Sequence, residues 1–280
     1  MNLTELEKSL QILRDEWSTE WLGLPAIVDD ALRQLGFKDD AELSTADASL
    51  HRCIMQMSEV IEMEGSELSR KCEELSYHNR LHIADVVKAL TCLLQAAREE
   101  LRLQPGAPLS HEEWIAYLSV VAHDYMHTGF TNTFPSQIEL LTSEALRPWM
   151  AQAGVTEEDQ RLIIQIIIKT DPNCVAETHA AAKDKPFDLK NPLWLTVLVQ
   201  ESDIFASSLP TVGIDLTQRL SSEWSSFSVE RAQSLLTNSS RLYFLKNQAI
   251  FSSPASKILG IQKLVDQEVE SLLRAEDRTT

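Results

Sequence analysis

"SYHNRLHIADVVKALTCLLQAAREEL", residues 76–101, places two histidines four residues apart at the start of a pattern that predicts a long helix. The chain contains only 7 histidines in 280 residues. A second pair with the same spacing occurs in "VVAHDYMHTGFTN", where His123 and His127 follow an apolar run and Asp124 stands beside the first of them. These two matched pairs are the first candidates for a functional site.

The rest of the chain has the same helical character. Glycine is scarce, at 8 residues, and the abundance of Leu, Ala, Glu and Gln favours helix over strand. Apolar residues recur at helical spacing across residues 3–36 and 45–63, and no convincing pattern of alternating polarity indicates a strand. We therefore predict an all-α fold, with a compact multi-helix domain at residues 66–280 and an N-terminal helical segment, residues 1–65, packed on it.

Prolines and capping residues predict several helix ends. The Asp-Pro pair at 171–172 is expected to stop the helix "RLIIQIIIKT", because proline cannot continue it. The Asn-Pro pair at 191–192 is suited to start "LWLTVLVQESD", a strongly apolar helix that we expect to end at Asp203. The Ser-Pro pair at 253–254 is expected to start one last helix that continues through Leu272.

Charge and composition exclude several classes of protein. The net charge is −17 and the pI is about 4.8, which opposes general binding to a nucleic-acid backbone or to an anionic membrane. The N-terminal stretch "MNLTELEKSL" is charged and unlike a signal peptide, and no apolar run approaches the length of a membrane span. The four cysteines form no CxxC pair and are expected to be free thiols. We expect a cytoplasmic protein with no nucleic-acid or membrane partner, and the sequence leaves its oligomeric state undetermined.

The two histidine pairs suit a metal site. Positions four apart share a face of a helix, so each pair is expected to point into one cleft. Imidazoles and a carboxylate together suit Zn²⁺, Mn²⁺ or Fe²⁺. Asp203 is the candidate for a further carboxylate, because a lone charge at the end of a buried helix would be costly. A single histidine is more often a hydrogen-bonded structural residue, and we place His51, His111 and His179 in that class.

Several segments resemble one enzyme family. "YHNRLHIADV" resembles the Y-H-N-x-x-H-A-x-D-V signature of class I cyclic nucleotide phosphodiesterases, and "HDYMHTGFTN" resembles their H-D-x-D-H-x-G-x-x-N segment. "IIIKTDP", "VQESDIFASSLP" and "NQAIF" are similar to three later segments of the family, in the same order. The resemblance extends from about residue 70 to residue 275 and implies the all-helical catalytic domain of an HD-type phosphohydrolase at residues 66–280.

The resemblance implies two divalent metal ions. The four residues that match the protein ligands of the tightly held metal, usually zinc, are His82, His123, Asp124 and Asp203. Asp124 would also bridge to a second metal, usually magnesium or manganese. Glu139 and Glu144 are both candidates for the glutamate that serves the metal-bound water.

The resemblance also implies catalytic and substrate-binding residues. His78 matches the histidine that protonates the leaving oxygen, and Glu223 matches the glutamate that orients this histidine. His127 is expected to contact the phosphate or a metal-bound water, and the predicted substrate-binding residues are Tyr77, His127, Gln248 and Phe251. Gln248 and Phe251 match the glutamine and phenylalanine that hold the purine.

The implied reaction is metal-dependent hydrolysis of a small-molecule 3',5'-cyclic nucleotide, cAMP or cGMP or both, to the 5'-monophosphate. A metal-bridged hydroxide would attack the phosphorus while the histidine acid protonates the leaving oxygen. Met126 departs from the family at its second Asp, and Ala206 departs from it where an Asn usually follows the last metal-binding Asp. Two alternatives stay open: an HD-type metallophosphohydrolase of another phosphate ester, such as a nucleoside monophosphate, and a non-catalytic nucleotide-binding module.

Overall fold

The computed structural model describes residues 2–17, 19–39 and 43–276. Within these ranges the chain forms fourteen α-helices and no strand, which confirms the predicted all-α fold. The helices are α1 (Leu3–Glu16), α2 (Leu24–Gln34), α3 (Thr45–Arg70), α4 (Arg80–Glu100), α5 (His111–Ala122), α6 (Gln137–Ala153), α7 (Glu157–Ile168), α8 (Pro172–Ala182), α9 (Pro192–Ser208), α10 (Pro210–Trp224), α11 (Val229–Leu235), α12 (Asn238–Asn247), α13 (Pro254–Leu259) and α14 (Ile261–Glu276).

Helix α4 occupies the centre of the bundle. It is buried on nearly every side from Arg80 to Ala97, and it packs against α1, α2, α5, α9 and α13. Helices α5 and α9 are likewise buried on most sides, as expected for helices that are apolar nearly all round. The candidate site is built from residues on or next to these three central helices.

Some helix ends differ from those predicted. Helix α9 continues past Asp203 to Ser208, because the chain is stopped by Pro210 rather than by the charged residue. Pro172 ends no helix; α7 ends earlier, and Pro172 is the first residue of α8. The predicted last helix is divided into α13 and α14 by Gly260, which adopts a left-handed conformation with φ +75°.

The N-terminal helices share the core of the rest of the chain. Leu6 and Leu10 of α1 are fully buried in the same hydrophobic cluster as the apolar residues of α4. Gly65 of α3 lies so close to the side chain of Arg80 that an added Cβ would come within 2.6 Å of it. The boundary predicted between residues 65 and 66 lies inside α3, at this close contact.

Candidate metal and catalytic site

The four paired histidines meet in one cavity, although they do not share helix faces. His78 precedes Asn79, the N-cap of α4, and His123 caps the C-terminus of α5, so each predicted pair spans a helix end. The rings instead pair across the two segments. His78 stacks on His127 with ring centroids 3.4 Å apart, and the centroids of His82 and His123 lie 5.5 Å apart. The helix-face argument was therefore wrong, while all four residues do line the same cavity.

Four potential metal ligands converge beside α4. The Nε2 atom of His82 lies 3.2 Å from Oδ2 of Asp124 and 3.2 Å from Oδ1 of Asp203. The Nε2 atom of His123 lies 3.2 and 3.5 Å from the same two oxygens. Metal–ligand bonds of about 2.1 Å place neighbouring ligand atoms about 3.0 to 3.4 Å apart, which is close to the observed spacing.

The surroundings of His123 also fit a metal ligand. Its Nδ1 lies 2.8 Å from the backbone oxygen of Val120, which can only accept a hydrogen bond, so Nδ1 carries a proton. Its Nε2 is buried and faces the two carboxylates, but it makes no well-aligned hydrogen bond with any described residue. An imidazole that is oriented through Nδ1 and directs Nε2 at carboxylates is typical of histidines that bind metals. The four residues therefore fit a divalent cation.

Charge in this cluster is balanced internally. Burial lowers the pKa of His82, but the carboxylates of Asp124 and Asp203 outweigh it and raise the pKa to about 9. Burial acts against the ionised form of Asp124, but the charge of His123 holds the pKa of this carboxyl well below its usual range. The carboxylates are thus ionised, and a metal ion would compete with protons for the two imidazoles.

A second cluster is arranged for proton transfer. The Nδ1 atom of His78 lies 2.6 Å from Oε1 of Glu223, while Oε2 of Glu223 accepts hydrogen bonds from the backbone N–H groups of Tyr77 and His78 at 2.8 and 3.1 Å. Burial raises the pKa of Glu223, but the hydrogen bond and charge of His78 and the two backbone donors lower it overall. The ionised carboxylate fixes the ring through Nδ1 and leaves Nε2 for a ligand.

His127 is set as a hydrogen-bond donor. Its Nδ1 accepts a hydrogen bond of 3.0 Å from the backbone N–H of Gly129, and burial followed by the neighbouring His78 lowers its pKa to about 4. The ring is therefore neutral near neutral pH, with its proton on Nε2. Gly129 has φ +79°, and a Cβ there would lie 3.0 Å from Leu75, so this tight turn requires glycine.

The cavity has a volume of about 800 Å³. Its polar wall includes the four histidines, the two metal-site aspartates and further side chains that could bind cations or substrate, namely Asn132, Glu139, Thr170, Asp171 and Asn173. Helices α9 to α12 add an apolar wall formed by Ile204, Leu216, Leu220, Trp224, Leu235 and Phe244. This combination suits a ligand with one charged group and one largely apolar body.

Only some of the predicted substrate-binding residues line the cavity. Tyr77 and Gln248 do, and the hydroxyl of Tyr77 lies 3.0 Å from that of Ser207. Phe251 does not; it is 5% exposed and packs edge-on against Phe205 with centroids 5.6 Å apart. The aromatic residues of α12 that line the cavity, including Phe244, carry no motif from which the sequence could have identified them.

The two candidate glutamates lie in different surroundings. Glu139 lines the cavity and accepts a hydrogen bond of 2.9 Å from Asn132, and burial raises its pKa. Glu144 is exposed and pairs with Arg147 on the surface of α6. Met126 is 41% exposed and lies outside the cavity wall. Of the two, Glu139 is the one that lines the cavity.

Residues 77–146 match the family described as 3'5'-cyclic nucleotide phosphodiesterase. Over this segment, about a quarter of its length, the chain is similar to class I phosphodiesterases, which supports a phosphodiesterase hydrolase. The matched segment contains both histidine pairs together with Asp124 and Glu139, whereas Asp203, Glu223 and Gln248 lie beyond it. Phosphodiesterases of this family use divalent metals, in agreement with the clustered ligands.

A search of curated proteins found no relative that matches this chain. In the part of the chain that the structure describes, none of the helices combines the length and the apolar character needed to cross a bilayer. His51, His111 and His179 lie outside the cavity wall, and His111 bridges Asp47 and Asp159 at 2.7 and 2.8 Å.

Proposed function

We propose that the chain hydrolyses 3',5'-cyclic nucleotides, cAMP or cGMP or both, to 5'-nucleoside monophosphates. The observation that carries this proposal is the adjacency, in one cavity, of four clustered potential ligands and the hydrogen-bonded pair His78–Glu223. The residues proposed to hold the tight metal, zinc, are His82, His123, Asp124 and Asp203. A second metal, magnesium or manganese, would be held in part by Asp124.

Each side chain has a distinct role in the proposed reaction. Bound divalent cations supply the neutralisation of the phosphoryl oxygens and the activation of the attacking water. The attacking water gives up one proton to solvent, its oxygen bonds to phosphorus as the bond to the 3' oxygen breaks, and Nε2 of His78 gives its proton to that oxygen. His78 then regains a proton from solvent. Glu223 orients the ring and stabilises its charged form. His127 donates a hydrogen bond from Nε2 to a phosphoryl oxygen.

A second candidate is hydrolysis of another phosphate ester, such as a nucleoside monophosphate. It is favoured by the placement of Phe251 in the core and by Ala206, which is 2% exposed and presents no amide to the cavity. Two of the groups that the resemblance associates with this part of the site are therefore missing from the wall. A non-catalytic module is opposed by the presence of every proposed ligand and of the acid.

The proposed function is tested by product identification. Purified protein is incubated with cAMP, cGMP or AMP in the presence of Mg²⁺ or Mn²⁺, and the products are separated and identified. We expect 5'-AMP or 5'-GMP from the cyclic substrates and no reaction with AMP. Release of adenosine and phosphate from AMP would favour the second candidate, and binding without turnover would favour the module. Asp203→Asn protein, purified in parallel, controls for contaminating hydrolases.

Replacement of Gln248 tests whether this residue reads the base. A carboxamide offers a donor and an acceptor to the edge of a purine. With about 1 kcal/mol per hydrogen bond, Gln248→Ala should raise KM for a cyclic purine nucleotide by about fivefold. Hydrolysis of a non-nucleotide phosphodiester should barely change. Asn247→Ala is the matched control, since Asn247 is an adjacent amide outside the cavity wall. Equal losses on both substrates would assign Gln248 to the fold.

A further inference from the structure

Arg14, on the N-terminal helix α1, connects two helices of the candidate site. Its Nη1 and Nη2 donate to the two carboxylate oxygens of Asp85 at 2.9 and 2.7 Å, and its Nε donates to Asp215 at 3.2 Å. The side chain of Asp85 is fully buried and that of Arg14 is 6% exposed. Because two parallel hydrogen bonds join the guanidinium to the carboxylate of Asp85, they fix the relative orientation of the two groups as well as their distance. An ion pair with a single contact fixes only the distance.

The two carboxylates belong to the helices that position the acid pair. Asp85 lies on α4, three residues after His82, and His78 lies just before the start of this helix. Asp215 lies on α10, two helical turns before Glu223. The 2.6 Å contact between His78 and Glu223 therefore depends on the spacing between the start of α4 and α10, and Arg14 spans this spacing.

The end of α1 contacts the same region a second time. The ring of Trp17 lies 5.0 Å from the guanidinium of Arg80, the first residue of α4. Arg80 is itself held by both oxygens of Glu74, at 2.8 and 2.9 Å, and by Glu62. The N-terminal segment thus braces the first turn of α4 beside His78 as well as linking it to α10.

We infer that α1 is a strut of the catalytic site and that Arg14 is a positioning residue for the His78–Glu223 pair. A buried ion pair contributes little net stability compared with apolar residues of similar size, because desolvation offsets the attraction. The ion pair does, however, fix the orientation of the groups that it joins, which an apolar contact would not do. The inference rests on the proposed function, in which His78 is the general acid, and it extends the site to a helix outside the matched segment.

The connection through Arg14 is best tested by a substitution at Asp215, its most exposed residue. Removing Arg14 would leave Asp85 buried without a partner, which strongly destabilises folded proteins. The side chain of Asp215 is 38% exposed, so Asp215→Asn should fold and lose only the attraction to α1 and to Arg219. Arg219→Gln is the matched control, because it removes the other partner of the same carboxylate and leaves the contact with Arg14.

The two variants are compared on two substrates. One is a cyclic nucleotide, whose leaving oxygen needs a proton, and the other is a phosphodiester with a nitrophenolate leaving group, which does not. Misplacement by about 1 Å can cost about 10²-fold in rate, and for this partial loosening we expect Asp215→Asn to lower kcat for the cyclic nucleotide by about 5- to 20-fold. In Asp215→Asn, KM for both substrates and kcat for the activated diester should stay within about twofold of wild type. In Arg219→Gln, kcat and KM for both substrates should stay within about twofold.

A uniform loss on both substrates, no loss at all, or an equal effect of Arg219→Gln would each overturn the inference. A readout that needs no turnover separates it from the proposed function. In ¹⁵N-histidine-labelled protein, the Nδ1 proton of His78, assigned by its absence in His78→Gln, should shift in Asp215→Asn and not in Arg219→Gln. An unchanged signal in Asp215→Asn would overturn the inference that Arg14 positions His78. Wild-type protein that hydrolyses no cyclic nucleotide would instead overturn the proposed function.

Discussion

Asp124→Asn is expected to lose the tightly bound metal and nearly all activity. The Oδ2 atom of Asp124 lies 3.2 Å from both His82 Nε2 and His123 Nε2. Asparagine keeps the volume of the side chain but removes the negative charge that attracts a divalent cation. Stabilisation by a bound metal is worth several kcal/mol, and at about 1.36 kcal/mol per factor of ten its loss corresponds to about 10³-fold or more in kcat.

The measurement combines elemental analysis after dialysis with initial rates. Asp203→Asn should behave in the same way, because its carboxylate lies 3.2 Å from His82 and 3.5 Å from His123. Glu144→Gln, an exposed carboxylate on α6, is the control and should keep both metal and rate. Chelation of wild-type protein should reproduce the loss, and the activity should return with added divalent metal. Full metal occupancy in both aspartate variants would show that the cluster is not the metal site.

The histidine pairs show what local sequence could and could not predict. Their spacing indicated correctly that imidazoles and carboxylates would gather in one place. The reason given was wrong, because Asn79 ends the extended approach to α4 and leaves His78 outside the helix. Ring pairing between His78 and His127 depends on how α4 and the turn after α5 pack together. Periodicity describes one helix at a time and carries no information about such contacts.

Residues beyond the histidine pairs show a similar limit. Phe251 and Phe244 are aromatic residues near the end of the chain, and only packing places the first in the core and the second at the cavity wall. Glu139 and Glu144 lie on the same helix, yet one faces the cavity and the other faces solvent. The extension of α9 beyond Asp203 follows from the position of the next proline, a stronger signal than a buried charge.

His78→Gln is expected to keep its metal and lose rate only where the leaving group needs a proton. General acid catalysis is typically worth about 10²- to 10⁴-fold, so kcat for a cyclic nucleotide should fall by that factor. The metal content should be unchanged, because the proposed ligands of the tight metal are other residues and the Nδ1 of His78 is already bonded to Glu223. With a nitrophenyl phosphodiester, whose leaving group departs as a stable anion, the loss should be less than about tenfold.

His127→Gln provides the contrast that makes this test specific. The two rings are stacked 3.4 Å apart, so both substitutions disturb the same part of the cavity. His127 is proposed to donate to a phosphoryl oxygen, which both substrates possess, and its loss should lower both rates by a similar factor. A loss confined to the cyclic nucleotide in His78→Gln, beside a uniform loss in His127→Gln, assigns the proton to His78. If His78→Gln were equally impaired on both substrates, this ring would be binding or positioning substrate instead of protonating the leaving oxygen.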